Sequence, residues 1–209
     1  NPTPTELISL TAFYKLIKNP ISRIEVASAG GYLSYENIAD KATVAGVEVE
    51  VRKNLFVRPL SSAANGMNKL SFGLNGSYIY TNAKMPLATV TTGSQLEGAA
   101  PWIANFDLSH NFTKGTHSFI NTLVFNYVSD KIYTIGTQGY QDIIEQGMMM
   151  LDFVSQAKLN KYVSLTLKAR NLLNPSYKLS RKANESGEKV VLSDYKKGII
   201  ISLGVSCTF

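Results

Sequence analysis

The C-terminal segment 199–209 alternates between apolar and polar side chains, and this alternation constrains the fold more than any other feature. A period of two residues is typical of a β-strand that has one face in an apolar medium. The residues between the apolar positions are small or polar, with Gly204 at the centre. The sequence therefore predicts a terminal strand with two different faces. Its apolar positions are Ile199, Ile201, Leu203, Val205, Cys207 and Phe209.

Seven further segments show a similar alternation, over about the length that a tilted strand needs to cross a bilayer. In the segment that contains Lys168 and Arg170, one face is too charged for the interior of a soluble protein, so these charges need water or partners. The pattern predicts an all-β chain whose eight strands form an antiparallel transmembrane β-barrel. The predicted strands are 6–17, 43–53, 70–81, 102–111, 117–133, 147–159, 163–170 and 199–209.

Aromatic side chains gather near the ends of the predicted strands. Tyr78 and Tyr80 close one strand, and Trp102 opens the next. Rings at both rims of an apolar band are typical of transmembrane barrels, where they lie at headgroup depth. A soluble β-sandwich, the alternative fold, has no need for aromatic residues at its outer ends. The predicted interfacial residues are Tyr14, Tyr78, Tyr80, Trp102, Phe112, Tyr127 and Phe209.

The connections between the predicted strands alternate in length. Outer-membrane barrels have short periplasmic turns and long external loops. If the C-terminus faces the periplasm, both short turns fall on the periplasmic side. The connection 54–68 does not fit this alternation. It falls on the periplasmic side, where short turns are expected, yet it is predicted to be long. The short connections are 113–116 and 160–161, and the long ones are 18–42, 82–99, 134–146 and 173–193.

Average composition does not reveal a membrane protein, since the mean hydropathy is −0.02. That value suits a barrel, whose lipid-facing and lumen-facing residues alternate. No apolar run approaches the roughly 20 residues of a spanning helix. The formal charge of +6 is spread over strands and loops without a recognisable nucleic-acid module, so we expect no nucleic-acid binding. A single cysteine, Cys207, excludes an intramolecular disulfide.

Several segments, taken in order, resemble the TonB-dependent receptors of Bacteroidetes-like bacteria. The Asn-Leu-Leu-Asn sequence of 171–174, which opens the last external loop, is the most specific of them. Together the segments cover nearly the whole chain. They are 10–15 followed by 19–21, 45–50, 96–102, 169–174 and the terminal strand ending in Phe209.

The resemblance implies a 22-stranded barrel, closed by an N-terminal plug domain and driven by the inner-membrane TonB complex. It implies that residues 1–209 form the C-terminal third of that barrel and that plug and TonB box lie upstream. The parent protein would then import a scarce nutrient such as siderophore-bound iron, haem, a vitamin or a glycan. The implied partners are outer-membrane lipid, the plug and remaining strands, the TonB complex and the barrel-assembly machinery, which reads a terminal strand like the one ending in Phe209.

A self-contained small barrel with an adhesion or anchoring role is the alternative, since eight strands can close around their own side chains. Bulky charged residues at alternate positions favour a wide, hydrated lumen instead. We interpret these residues as lumen-facing, either solvating the lumen or contacting the plug and substrate. They are Glu48, Glu50, Arg52, Asp107, Asp152, Lys158, Lys168 and Arg170.

Two long connections are candidates for ligand capture. The connection 173–193 is basic, with Lys178, Arg181 and Lys182 among its cations, and suits an anionic ligand or lipopolysaccharide phosphates. The connection 134–146 contains Tyr140 among glutamines and glycines, a composition suited to stacking and hydrogen bonding. A solvated loop without a ligand is the alternative for both.

An enzyme would need a nucleophile and a base held together. The two histidines do not provide that arrangement, because His110 falls on the apolar register of its strand and His117 lies beside a short turn. No glycine-rich phosphate loop opens a helix, and no metal-ligand spacing is present. We therefore expect no catalytic residues, no metal and no cofactor.

Overall fold

The computed structural model describes residues 6–26, 31–60, 66–85, 95–183 and 187–208, and every regular element in them is a β-strand. Within these residues no helix is long and apolar enough to cross a bilayer. The strands are β1 (Leu7–Lys18), β2 (Ser22–Glu25), β3 (Leu33–Glu36), β4 (Lys41–Leu60), β5 (Gly66–Ala83), β6 (Trp102–Lys114), β7 (His117–Val128), β8 (Lys131–Thr134), β9 (Ile143–Glu145), β10 (Met148–Lys158), β11 (Val163–Arg170), β12 (Ser176–Lys182), β13 (Lys189–Lys196) and β14 (Ile200–Cys207).

Eight strands form one antiparallel sheet in the order β1-β4-β5-β6-β7-β10-β11-β14, which we call the main sheet. Each strand pairs with the next one along the chain that belongs to the sheet, as successive strands of an up-and-down barrel do. The outer strands β1 and β14 are not paired with each other in the described residues, so the main sheet is open. This arrangement confirms the predicted all-β antiparallel fold.

The main sheet has one apolar face and one polar face, because the register aligns like side chains across neighbouring strands. On the apolar face Leu108 pairs with Phe72 and Leu123, and on the polar face Asn105 pairs with Asn75 and Asn126. Among the described residues no other element covers the apolar face, and its side chains are most exposed on the outer strands β1 and β14. The most exposed are Ile8 (75%), Leu10 (73%), Ile201 (71%) and Leu203 (74%).

The remaining strands form a second structure at one end of the main sheet, which we call the cap. It consists of a four-stranded sheet, β13-β12-β9-β8, and the hairpin β2-β3. Ile24 of β2 forms an isolated parallel bridge with Ile135, and both are buried together with Ile38 and Ile132. The buried apolar residues of the described part of the chain therefore lie in the cap and at the adjoining ends of β4 and β5, where Ala42 and Ala83 are buried.

Two predictions about strand limits were wrong. The strand expected at 117–133 leaves the main sheet after Val128, where Ser129 hydrogen bonds to the backbone of Trp102, and β8 joins the cap. The long connection expected at 54–68 is mostly strand, because β4 continues to Leu60 and β5 starts at Gly66. The pairing register shifts between Asn54 and Phe56, and this β-bulge breaks the alternation that marks the strand in the sequence.

The long connections predicted at 18–42, 134–146 and 173–193 contain the cap strands β2, β3, β9 and β12 and most of β13, and the short connections lie at the opposite end of the main sheet. Gly115 turns between β6 and β7 with a positive φ of 58°. Asn160 closes the turn between β10 and β11, since its side-chain oxygen accepts hydrogen bonds from the N–H groups of Tyr162 and Val163. Of the predicted aromatic residues, Phe209 lies outside the described residues.

Candidate functional site

The eight charged residues selected from the sequence lie on the polar face. Asp107 pairs with Val124, which in turn pairs with Asp152. These three residues therefore lie on the same face of β6, β7 and β10. Asp152 accepts a hydrogen bond from the N–H of Asn171 where β11 ends. The others follow from the same pairing: Glu48 with Ser77, Glu50 with Asn75, Arg52 with Gly73, Lys158 with Ser118, Lys168 with Ser202 and Arg170 with Ile200.

A polar cavity of about 260 Å³ lies on this face around Asp107. The carboxylate of Asp107 occupies the space above Gly73, and a Cβ at position 73 would collide with this carboxylate. Arg52 and Lys69 line the same cavity, and Arg52 also pairs with Glu50 at 2.7 Å. A glycine directly opposite an aspartate therefore shapes a charged recess in the wall of the sheet.

The cap is held together around Arg23 of β2. Its guanidinium lies 4.3 Å from the ring centroid of Tyr133 and 5.7 Å from that of Tyr35. The same group forms an ion pair with Glu97 at 3.5 Å. One arginine thus joins the hairpin β2-β3, the segment before β6 and the strand β8, which lie far apart in the sequence.

A second polar cluster of the cap centres on Tyr177 of β12. Burial and the neighbouring Glu145 carboxylate, which accepts a hydrogen bond from the phenol, raise the pKa of Tyr177 to about 12. Its ring lies 5.0 Å from that of Tyr195. Glu145 forms an ion pair with Lys131 at 3.3 Å, so its charge is held between an ammonium group and a phenol.

The loop candidates are distributed over the cap. Arg181 forms a 2.7 Å ion pair with Glu25 and lies 5.6 Å from the ring centroid of Tyr140. Lys178 pairs with Asp194 at 3.1 Å, and its hydrogen bond lowers the pKa of that carboxyl.

Lys182 lies directly opposite Lys189 in the β12-β13 ladder, at the rim of a cavity of about 380 Å³. Two cations in direct opposition weaken this end of the ladder. Asp142, at the same cavity, accepts a hydrogen bond from the N–H of Gly136 at 2.7 Å. The structure therefore brings Arg181 and Lys182 to one cavity, and places Tyr140 beside Arg181.

Sequence reasoning missed Arg23, Glu97 and Glu145. Arg23 and Glu97 are separated by 74 positions in the chain, so no local spacing indicates their contact. Of the two histidines, His110 lies on the apolar face opposite Leu70 and Asn121. Among the described residues, no group of three or more His, Cys, Asp or Glu side chains is placed to hold a metal ion.

A protein-family model described as TonB dependent receptor-like, beta-barrel, matches residues 3–172. The match covers β1 to β11 and so includes most of the main sheet. Comparisons with curated proteins and with solved structures find no match.

Proposed function

Because the chain belongs to the TonB-dependent receptor-like β-barrel family, we propose that it forms part of the wall of an outer-membrane receptor that imports a scarce nutrient. In this proposal the apolar face meets lipid and the polar face lines the lumen. The cap then lies at the external mouth, and the turns at Gly115 and Asn160 face the periplasm.

The exposed apolar face carries this proposal. Leu10, Ile201 and Leu203 each keep more than two thirds of their surface exposed, and the opposite face holds charged groups. In water, a sheet must bury its apolar face against another layer. In a bilayer the same face is solvated by lipid while the polar face meets a hydrated lumen. Rings at the edge of the face support this placement, since Tyr78 and Trp102 lie 4.5 Å apart between centroids.

We further propose that residues 1–209 are the C-terminal part of a 22-stranded barrel. Within the described residues, the outer edges of β1 and β14 carry unpaired backbone groups, which cannot remain open in lipid. Strands from the rest of the receptor would pair with both edges. A self-contained small barrel requires β1 to pair with β14, and these strands do not pair in the described part of the chain.

The family supports a plug domain and the TonB complex as partners, and we propose the barrel-assembly machinery in addition. A plug domain would face Asp107 and the other charges of the polar face, and the TonB complex would act on the plug. The barrel-assembly machinery would read the C-terminal segment of the chain, with Phe209 as part of the signal. The transported nutrient is proposed only as a class: siderophore-bound iron, haem, a vitamin or a glycan.

The test uses the full-length protein in its own cells. Outer-membrane fractions are examined for a band whose mobility changes on heating, and uptake of labelled ferric siderophores, haem, cobalamin and oligosaccharides is measured. The proposal predicts a heat-modifiable outer-membrane protein, and uptake of one class that is lost both on deletion of the receptor and on loss of TonB. A protein found in another compartment, or uptake that persists without TonB, would refute it.

A further inference from the structure

A row of polar side chains crosses the apolar face of the main sheet, and we call it the polar stripe. It consists of Arg58, Asn68, His110, Asn121 and Ser155, on five successive strands from β4 to β10. Arg58 pairs with Asn68, His110 hydrogen bonds to Asn68 on the neighbouring strand, and Asn121 pairs with both His110 and Ser155. The stripe is therefore continuous and does not consist of scattered polar substitutions.

Hydrogen bonds within the stripe occupy the side-chain oxygens of Asn68 and Asn121 and leave the amide N–H groups of these two residues free. His110 Nε2 donates to Asn68 Oδ1 at 2.8 Å, and Ser155 Oγ donates to Asn121 Oδ1 at 2.7 Å. In the described structure, the side-chain nitrogens of Asn68 and Asn121 have no partner. Free donors on a face surrounded by lipid are costly unless an acceptor meets them. The stripe therefore fits a ligand rich in oxygen acceptors.

The charge of the stripe indicates that this acceptor is anionic. Arg58 is exposed and forms no ion pair with any described residue. In the described strands of the main sheet, every acidic residue lies on the polar face, and Glu6, which precedes β1, accepts a hydrogen bond from the N–H of Asn54. The acidic residues are Glu48, Glu50, Asp107 and Asp152.

The aromatic neighbours of the polar stripe indicate its depth in the membrane. Phe112 and Phe119 lie between His110 and the turn at Gly115, with their ring centroids 6.4 Å apart. Aromatic rings mark the membrane interface. The stripe thus lies beside the interface on the side of the short turns, where the glycerol and phosphate groups of lipids are found.

We propose that the polar stripe binds the phosphate group of a glycerophospholipid in the periplasmic leaflet. Arg58 pairs with the phosphate, and the amides of Asn68 and Asn121 donate to phosphate or ester oxygens. Basic groups between or beside spanning elements recognise anionic headgroups in this way. The inference rests on the membrane placement given under Proposed function, because only that placement brings lipid to the apolar face.

The test is native mass spectrometry of the full-length receptor in detergent with added phosphatidylglycerol, or with diacylglycerol of the same acyl chains. Wild-type protein should retain phosphatidylglycerol in preference to diacylglycerol. Arg58→Gln should lower the retained fraction about tenfold, since a hydrogen bond to a charged group is lost. Lys69→Gln is the matched control, because Lys69 pairs with Val57 beside Arg58 and lies on the opposite face. It should leave retention unchanged.

A second variant distinguishes loss of the lipid site from loss of folding. Asn121→Leu makes the apolar face more apolar, so the barrel should remain folded while retention of phosphatidylglycerol falls about threefold. Equal retention in wild type, Arg58→Gln and Asn121→Leu overturns the inference, as does equal retention of the two lipids by the wild type. Heat modifiability and outer-membrane location are measured separately on each variant, so a failed membrane placement is distinguished from a failed lipid site.

Discussion

Glu25 and Arg181 form an ion pair of 2.7 Å that joins the hairpin β2-β3 to the cap sheet. Both side chains are mostly buried, with 11% and 18% of their surface exposed. The hydroxyl of Thr137 donates to the backbone oxygen of Glu25, so the same residue is held from two sides. The cap is therefore fixed by specific polar contacts between distant segments as well as by its isoleucine core.

Glu25→Gln should loosen the cap, because it leaves the guanidinium of Arg181 without a counter-ion in a mostly buried site. We expect the local free energy of opening of β2 and β12 to fall by about 2 kcal/mol. Hydrogen exchange of their amides measures this change. Lys178→Gln removes an exposed ion pair of the same sheet and should have little effect. Equal exchange in the two variants would show that the Glu25–Arg181 pair does not hold the cap.

Gly46→Ala should destabilise the main sheet. A Cβ at this position would lie 2.6 Å from the backbone oxygen of Tyr78 and would also collide with the Phe13 ring. The backbone contact cannot be relieved by rotating a side chain, so we expect a cost of about 1–3 kcal/mol. Gly76→Ala is the control, because a Cβ there meets nothing within 4 Å. Denaturation midpoints of the refolded proteins compare the two, and similar midpoints would contradict the packing described for Gly46.

Tyr177 should make the cap sensitive to alkaline pH. Its pKa in the folded protein is about 12, against an ordinary value of 10.0. The folded state therefore favours the neutral phenol. The stabilisation is complete below about pH 10 and is lost as the pH rises from about 10 through about 12. Tyrosinate absorbance should show a late titration step that Tyr177→Phe removes. Superimposable titrations of the two proteins would contradict the assignment.

Phe209 is proposed to be part of the C-terminal segment that the assembly machinery reads. Phe209→Ala in the full-length protein should lower its level in the outer membrane. Phe209→Tyr, which keeps the aromatic ring, should leave that level as in the wild type. Immunoblots of outer-membrane fractions measure both. Wild-type levels of the Phe209→Ala protein would count against the assembly role.

The main sheet could be predicted from the sequence because each spanning strand alternates with a period of two. The prediction failed where that period is interrupted, at the bulge near Leu55 and at Ser129, where the chain leaves the sheet. The cap could not be predicted, because contacts such as Arg23 with Glu97 join distant segments and leave no local pattern. Only part of the polar stripe could be predicted, since the sequence places His110 on the apolar face but its hydrogen bond with Asn68 depends on the register of β5 and β6.

Cysteine accessibility along β6 tests most directly whether the main sheet is a membrane wall with a lipid face and a lumen face. Single cysteines are introduced from Ile103 to Asn111 in a Cys207→Ser background of the full-length protein, and intact outer membranes are treated with a small water-soluble thiol reagent. The account predicts labelling at alternate positions, with Asn105, Asp107 and Ser109 reactive and the residues between them protected. Uniform labelling, or protection of the polar positions instead, would contradict it.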